Sequence, residues 1–200
     1  MASPGLEEFD RRVVPGRCLA EEAERVAKAC YEMALRFHRG GKLMVFGNGG
    51  GATDSQHIAV EFVHPVLVGK RALPALSLTN DVSTLTGLAR SSGFEAIFCH
   101  QVRQLGCRDD IALGISSDGH CKNVLRGLEA AHEMGLLTIA LTGGDGGDIA
   151  TSPATDHAFV AKADDPLVVK ELHVTTYHIL WELVHVFFDQ PGLLDQDPAA

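Results

Sequence analysis

His57 and Glu61 stand four residues apart, just after the glycine-rich run Gly47-Asn48-Gly49-Gly50-Gly51. On a helix that spacing puts both on one face. An imidazole and a carboxylate there can pass a proton between them, or offer a nitrogen and an oxygen to a metal ion. The glycines let the backbone turn sharply and approach a ligand, and the helix they open offers unpaired N–H groups to an anion. Two plainer roles remain open for the pair: an exposed helical contact, or a buried histidine with its hydrogen-bond partner.

A second polar loop, Ser116-Ser117-Asp118-Gly119-His120-Cys121, carries hydroxyls where a strand leads into a helix. Such a junction suits a phosphate and suits a helix cap equally well. Asp118 weighs against the phosphate, because a carboxylate facing a dianion repels it. On the last helical stretch Glu171, His178, Glu182 and His185 fall on or near one face, with Lys170 two turns before His178. A stripe of this kind is common in a core or an interface, yet a histidine there could also meet Glu61. The glycine run lacks the last glycine of a dinucleotide fingerprint, where Ala52 stands, and it lacks the Lys-Ser/Thr of a P-loop.

These residues need elements to hold them. Residues 17–39 repeat apolar positions at three-and-four spacing from Leu19 to Phe37, which predicts a long amphipathic helix, an added arm of the sort that packs on a partner subunit. Apolar runs at 43–46, 73–78, 111–116, 136–141 and 158–160 predict strands, and helices are expected over 52–63, 81–88, 94–105, 120–134 and 166–188. Strands alternating with helices, and apolar throughout, argue for a parallel sheet covered on both faces. Ligands bind such sheets beyond the carboxyl ends of the strands. The two loops above lie there, with a third at 142–147. The expected organisation is an extension over 1–16, one domain over 17–190 and a frayed tail over 191–200.

Composition narrows the function. Hydrophobic residues make up 46% and charged residues 22% of 200, an ordinary globular balance. A formal net charge of −9 leaves no basic face, which argues against direct nucleic-acid binding. No apolar run approaches the ~18 residues of a membrane span. The first residues lack the basic and apolar regions of a signal peptide. Cys18, Cys30, Cys99, Cys107 and Cys121 are scattered, without C-x-x-C spacing, which favours reduced thiols in the cytoplasm.

Four ordered motifs carry a family resemblance: G-N-G-G-x-x-x-D-x-x-H-x-x-x-E at 47–61, D-x-x-L-G-I-S-[ST]-x-G-x-x-x-N-V at 110–124, L-T-G-x-D-G-G at 141–147 and E-x-H-x-x-x-x-H at 171–178. Together they resemble the sugar isomerase (SIS) domain, in its phosphoheptose isomerase branch, over nearly the whole chain. The resemblance implies an α/β fold: a three-layer α-β-α sandwich with a five-stranded parallel sheet and a long N-terminal helix. It implies a homotetramer built on the first and last helices, with sites shared between subunits. It implies a sugar-phosphate substrate, sedoheptulose 7-phosphate in that branch, isomerised through an enediol with Glu61 as base and His178 as acid. Asn48, Gly49, Gly50, Ser116, Ser117 and Lys170 would bind the substrate. No cofactor is required. Some members bind zinc, and three of their four ligands map to His57, Glu61 and His178.

The departures fall on substrate contacts. Lys170 replaces the family's glutamine, the fourth zinc ligand. Gly51, Asp118 and Cys121 replace serines, Pro65 an arginine and Ser91 an acidic residue. They imply weaker binding of a heptose 7-phosphate, or a different substrate. The alternative is a non-catalytic adaptor like the branch that recruits a bacterial replication initiator. That branch lacks the glutamate present here as Glu61.

Overall fold

The computed structural model describes residues 4–190 and 192–196. Among them the chain forms five strands, β1 Leu43–Gly47, β2 Ala75–Ser77, β3 Ile111–Ser116, β4 Leu137–Gly143 and β5 His157–Ala161. They pair in parallel, in the order β2-β1-β3-β4-β5. The register sets Leu43 beside Ile111, Ser116 beside Thr142 and Gly143 beside Ala161. Every residue of β1, β3 and β4 is buried, which explains why these strands read as continuous apolar runs.

Eight α-helices accompany the sheet among the described residues. They are α1 Pro4–Glu21, α2 Ala23–His38, α3 Gly50–Val63, α4 Val82–Ser92, α5 Ile97–Leu105, α6 Lys122–Glu133, α7 Gly147–Thr151 and α8 Pro166–Phe188. Alternate residues of one strand feed opposite layers. Leu43 and Val45 join Met33 and Phe37 of α2, Ile58 of α3 and Trp181 of α8 in one core. Met44 and Phe46 join Phe98 and Val102 of α5 and Val124 and Leu128 of α6 in the other. The expected three-layer sandwich is the fold observed.

The long helix expected over 17–39 is a correction. The chain turns at Glu22, so that residues 17–21 belong to α1, which already begins at Pro4, and α2 starts at Ala23. α2 keeps the predicted stripe, with Val26, Ala29, Cys30, Met33, Ala34 and Phe37 buried. Much of the expected tail lies outside the described residues. Within it Leu194, in a short 3-10 turn, is buried against the α2 and α8 layer.

Strand order reverses between β1 and β3, since β1 leads outward to β2 on one side while β3 and β4 continue on the other. In open α/β sheets that reversal leaves a crevice at the carboxyl ends of the strands. The glycine loop after β1 and the polar loop after β3 flank it.

Candidate active site

The crevice is organised by α3 and α8. α3 begins at Gly50, after Gly49 with φ +52, a conformation that disfavours any side chain. No side chain caps this helix start. α8 starts on Asp165, whose carboxylate accepts the N–H of Leu167 at 2.9 Å, with Pro166 in the first turn. Each helix repeats polar residues at helical spacing along the face it turns to the other. On α3 these are Asp54, His57 and Glu61; on α8 they are Lys170, His178 and the aromatic Tyr177.

Glu61 is the centre of the arrangement. Its Oε1 lies 3.0 Å from His57 Nε2 and 3.3 Å from His178 Nε2. The glutamate side chain is only 11% exposed, while both imidazoles are roughly half open to solvent. Oε1 accepts a hydrogen bond from His57 and lies against His178, and Oε2 has no hydrogen bond among the described residues. The indole N–H of Trp181 holds the main-chain carbonyl of Glu61 at 3.0 Å. Tyr177 packs its ring 4.7 Å from His178 and 5.6 Å from His57. Burial pushes the Tyr177 phenol up from its ordinary value, and the nearby charges of Asp54 and Glu61 add to that. It stays a neutral hydroxyl.

Two turns toward the start of α8, Lys170 forms an ion pair with Asp54 Oδ1 at 2.5 Å and donates to the carbonyl of Gly50 at 2.8 Å. His173, one turn further along and buried, donates its Nε2–H to the Thr142 carbonyl at 2.9 Å, which ties α8 to the end of β4. Burial lowers the His173 pKa, so this histidine is neutral.

The glycine loop is tied to the first turn of α6 through Asn48 and Asn123, whose side-chain amides exchange reciprocal hydrogen bonds of 2.8 Å. Ser116 is buried, donates its hydroxyl to Asp118 at 3.1 Å and accepts the N–H of Gly119 at 3.1 Å. It shapes its loop and has no spare proton. Ser117 is exposed at the mouth of the adjoining cavity. Gly119, with φ +75, brings its loop so close to the loop after β4 that a Cβ would sit 2.0 Å from the Gly146 carbonyl.

The expected triad is thus brought together: the ligating atoms of His57, Glu61 and His178 lie within 4.8 Å of one another. Three such donors fit a divalent cation with one open position. Lys170 cannot supply a fourth ligand, since an ammonium has no lone pair. Of the other residues singled out on α8, Glu171 faces outward to Arg12 of α1 at 2.6 Å. His185 is buried with its ring bonded to the carbonyls of Trp181 and Arg71, away from the triad. Glu182 is exposed. The sequence reading gave no site role to Asp54, Tyr177 or Trp181. Asp54 was findable, because it stands three residues before His57 and seven before Glu61 on the same face. Tyr177 and Trp181 read as core, which they also are.

Known proteins place this geometry in context. The family model for the SIS domain matches residues 12–143. A phosphoheptose isomerase of Desulfovibrio desulfuricans is 43% identical over 170 residues, covering 84% of this chain and 79% of that protein. One from Aquifex aeolicus is 41% identical, covering 81% and 84%. The structure of a phosphoheptose isomerase from Neisseria gonorrhoeae superposes with a TM-score of 0.81 at 31% identity, covering 90% of this chain and 95% of the other. That of Francisella tularensis gives 0.83 at 30% identity, with the same coverage.

Proposed function

This chain belongs to the SIS domain family and is a sugar-phosphate isomerase, and we propose that it interconverts a ketose phosphate and its aldose through Glu61 and His178. The observation that carries this assignment of roles is the shared Oε1 of Glu61. With both imidazoles on that atom, Oε2 is the basic atom left for substrate. Oε2 takes the C1 proton of the ketose while His178 gives a proton to the C2 oxygen, forming the enediol. Glu61 then returns its proton to C2, and His178 recovers one from the C1 hydroxyl, leaving the aldehyde. His57, fixed against Tyr177, holds the carboxylate in place. Moving protons with positioned groups of this kind contributes about 10²–10⁴-fold.

Asn48, Gly49, Gly50, Ser116, Ser117 and Lys170 are the residues this reading assigns to the sugar phosphate. His57, Glu61 and His178 would hold a divalent cation such as zinc. It would polarise the substrate carbonyl; because a ligated imidazole nitrogen has no proton to give, the proton transfers described above belong to the metal-free site, where His178 Nε2 carries a proton. Sedoheptulose 7-phosphate is the first substrate to test, because the similar proteins are phosphoheptose isomerases. The adaptor reading is not favoured: those relatives are enzymes, and Glu61 is present and buried between its partners.

A homotetramer working in the cytoplasm completes the reading. Its support is an apolar groove of about 370 Å³ between α1, α2 and α8, lined by Leu19, Val26, Val168, Leu172 and Ile179. Five free cysteines agree with a reducing compartment. No helix among the described residues is long and apolar enough to cross a membrane.

The test is turnover of sedoheptulose 7-phosphate and related ketose phosphates by wild type and by Glu61→Gln. Wild-type turnover that falls by about 10²-fold or more in a folded variant is expected. Equal turnover in the two would remove Glu61 as base.

A further inference from the structure

Lys170 and Asp118 give the two loops of the crevice opposite electrostatic character. An ammonium has three N–H donors. Lys170 donates one to the Gly50 carbonyl and sets its charge against Asp54 Oδ1 at 2.5 Å, which leaves the ammonium with donating capacity to spare. Asp54 is 5% exposed, and its second oxygen is sealed from solvent without a partner. The Lys170 side chain keeps 38% of its surface open. The ammonium is thus held by Asp54 and Gly50 on a side chain that stays partly open to solvent. It stands directly over the glycine loop, 3.7 Å from where a Cβ on Gly50 would be.

The loop after β3 already contains an anion. Asp118 Oδ1 accepts the Ser116 hydroxyl at 3.1 Å and the His120 N–H at 3.0 Å. The donors that an incoming phosphate would use are answered by the loop's own carboxylate. The His120 hydrogen bond, with that of Ser116, holds this carboxyl below its ordinary range. The cavity of about 350 Å³ above the loop is lined by Ser117, Asp118, His120, Asp145 and Asp164 among others. Its one imidazole is drawn to a further carboxylate, Asp148, at 3.2 Å. A dianion entering there meets three carboxylates and loses more by repulsion than one histidine returns.

Distance along the helices favours the same division. Asp54 and Glu61 are two turns apart on α3, about 10 Å of axis, and Lys170 and His178 are spaced similarly on α8. That is the length scale of an extended hexose or heptose phosphate, so a ligand whose C1 and C2 lie at Glu61 can bring its phosphate to Lys170.

Resting on the isomerase reading, we propose that Lys170 receives the substrate's phosphate and that Asp118 is a built-in anion that keeps phosphate off the loop after β3. Lys170 and Asp118 are then the specificity-determining residues of this chain. They select a phosphorylated sugar that reaches the glycine loop.

The experiment compares wild type, Asp118→Ser and the double variant Lys170→Met/Asp54→Asn, which removes both members of the ion pair and leaves no buried charge unpaired. Calorimetry measures binding of inorganic phosphate, and steady-state kinetics measure sedoheptulose 7-phosphate turnover with phosphate as competitor. The double variant is expected to weaken phosphate binding and raise KM by about tenfold, the worth of one charge-assisted hydrogen bond. Asp118→Ser is expected to tighten phosphate binding severalfold. Unchanged phosphate affinity in a cooperatively melting double variant overturns the role of Lys170. Should that variant fail to fold, Lys170→Gln is read by the same criterion. Phosphate binding that Asp118→Ser leaves unimproved, or that Ser116→Ala weakens as much as loss of Lys170 does, overturns the role of Asp118. Wild type that binds phosphate through Lys170 but turns over no sugar phosphate would sink the isomerase reading alone. Turnover with a KM indifferent to Lys170 would sink this inference alone.

Discussion

Trp181 donates its indole N–H to the main-chain carbonyl of Glu61 across 3.0 Å, so α8 grips α3 at the residue proposed as base. His178, one turn earlier on α8, faces the carboxylate of the same residue. Backbone and side chain of Glu61 are therefore both positioned by one helix. Trp181→Phe keeps most of the ring volume and deletes the donor, leaving a buried carbonyl unpaired. The expected cost is about 1–3 kcal/mol, or roughly 2–4 °C in Tm per kcal/mol for a chain of this size. Because the Glu61–His178 geometry loosens, kcat should fall more than KM rises. A lower Tm with kcat intact would make the indole contact purely structural.

His173 gives stability a pH dependence of known sign. Burial lowers its pKa in the folded chain below the ordinary 6.5. As pH falls through 6.5 the unfolded chain takes up a proton that the folded chain refuses, so unfolding is favoured. The loss continues until pH reaches the folded value, where both states are protonated. Urea midpoints of wild type should decline on acidification from about pH 7 to about pH 5, and His173→Gln should decline less. Parallel profiles for the two proteins would exclude His173 as the source. His120 works in the opposite sense: its exposed ring is raised by Asp148, so its contribution is present at low pH and fades as pH rises through the folded value.

α1 leaves Leu6, Phe9 and Val13 exposed at helical spacing, with Phe9 73% open. An apolar stripe of this kind, beside the groove between α1, α2 and α8, needs a cover. If the cover is another copy of the chain, Phe9→Glu with Val13→Glu should lower the mass measured by light scattering from a tetramer toward smaller species. A wild-type monomer with full turnover would refute the assembly.

Much of this protein was legible from spacing. β3 spans 111–116 and α8 spans 166–188, as the apolar runs and Pro166 predicted, because strand and helix periods are local properties of the chain. His57 and Glu61 were placed on one face by four-residue spacing alone. The break at Glu22 was not legible, since the apolar stripe of α2 runs on smoothly into residues that α1 uses instead.

The amino-acid sequence by itself determined the parallel α/β fold and the loops at the carboxyl ends of the strands, because both depend on periodicity and residue type over short stretches; it pointed to Glu61 and His178 as an acid/base pair only through the family resemblance. Only the tertiary structure decided which members of α8 face α3. Lys170 and His178 do, while Glu171 turns to Arg12 and His185 to Arg71. It also decided which polar groups are spent. Ser116 looks free in sequence, yet Asp118 consumes its proton, and Lys170 looks like a lost ligand, yet an ion pair with Asp54 and a hydrogen bond to Gly50 anchor it. The reason is that a hydrogen-bonding group can be counted as available only after its neighbours from distant segments are in place.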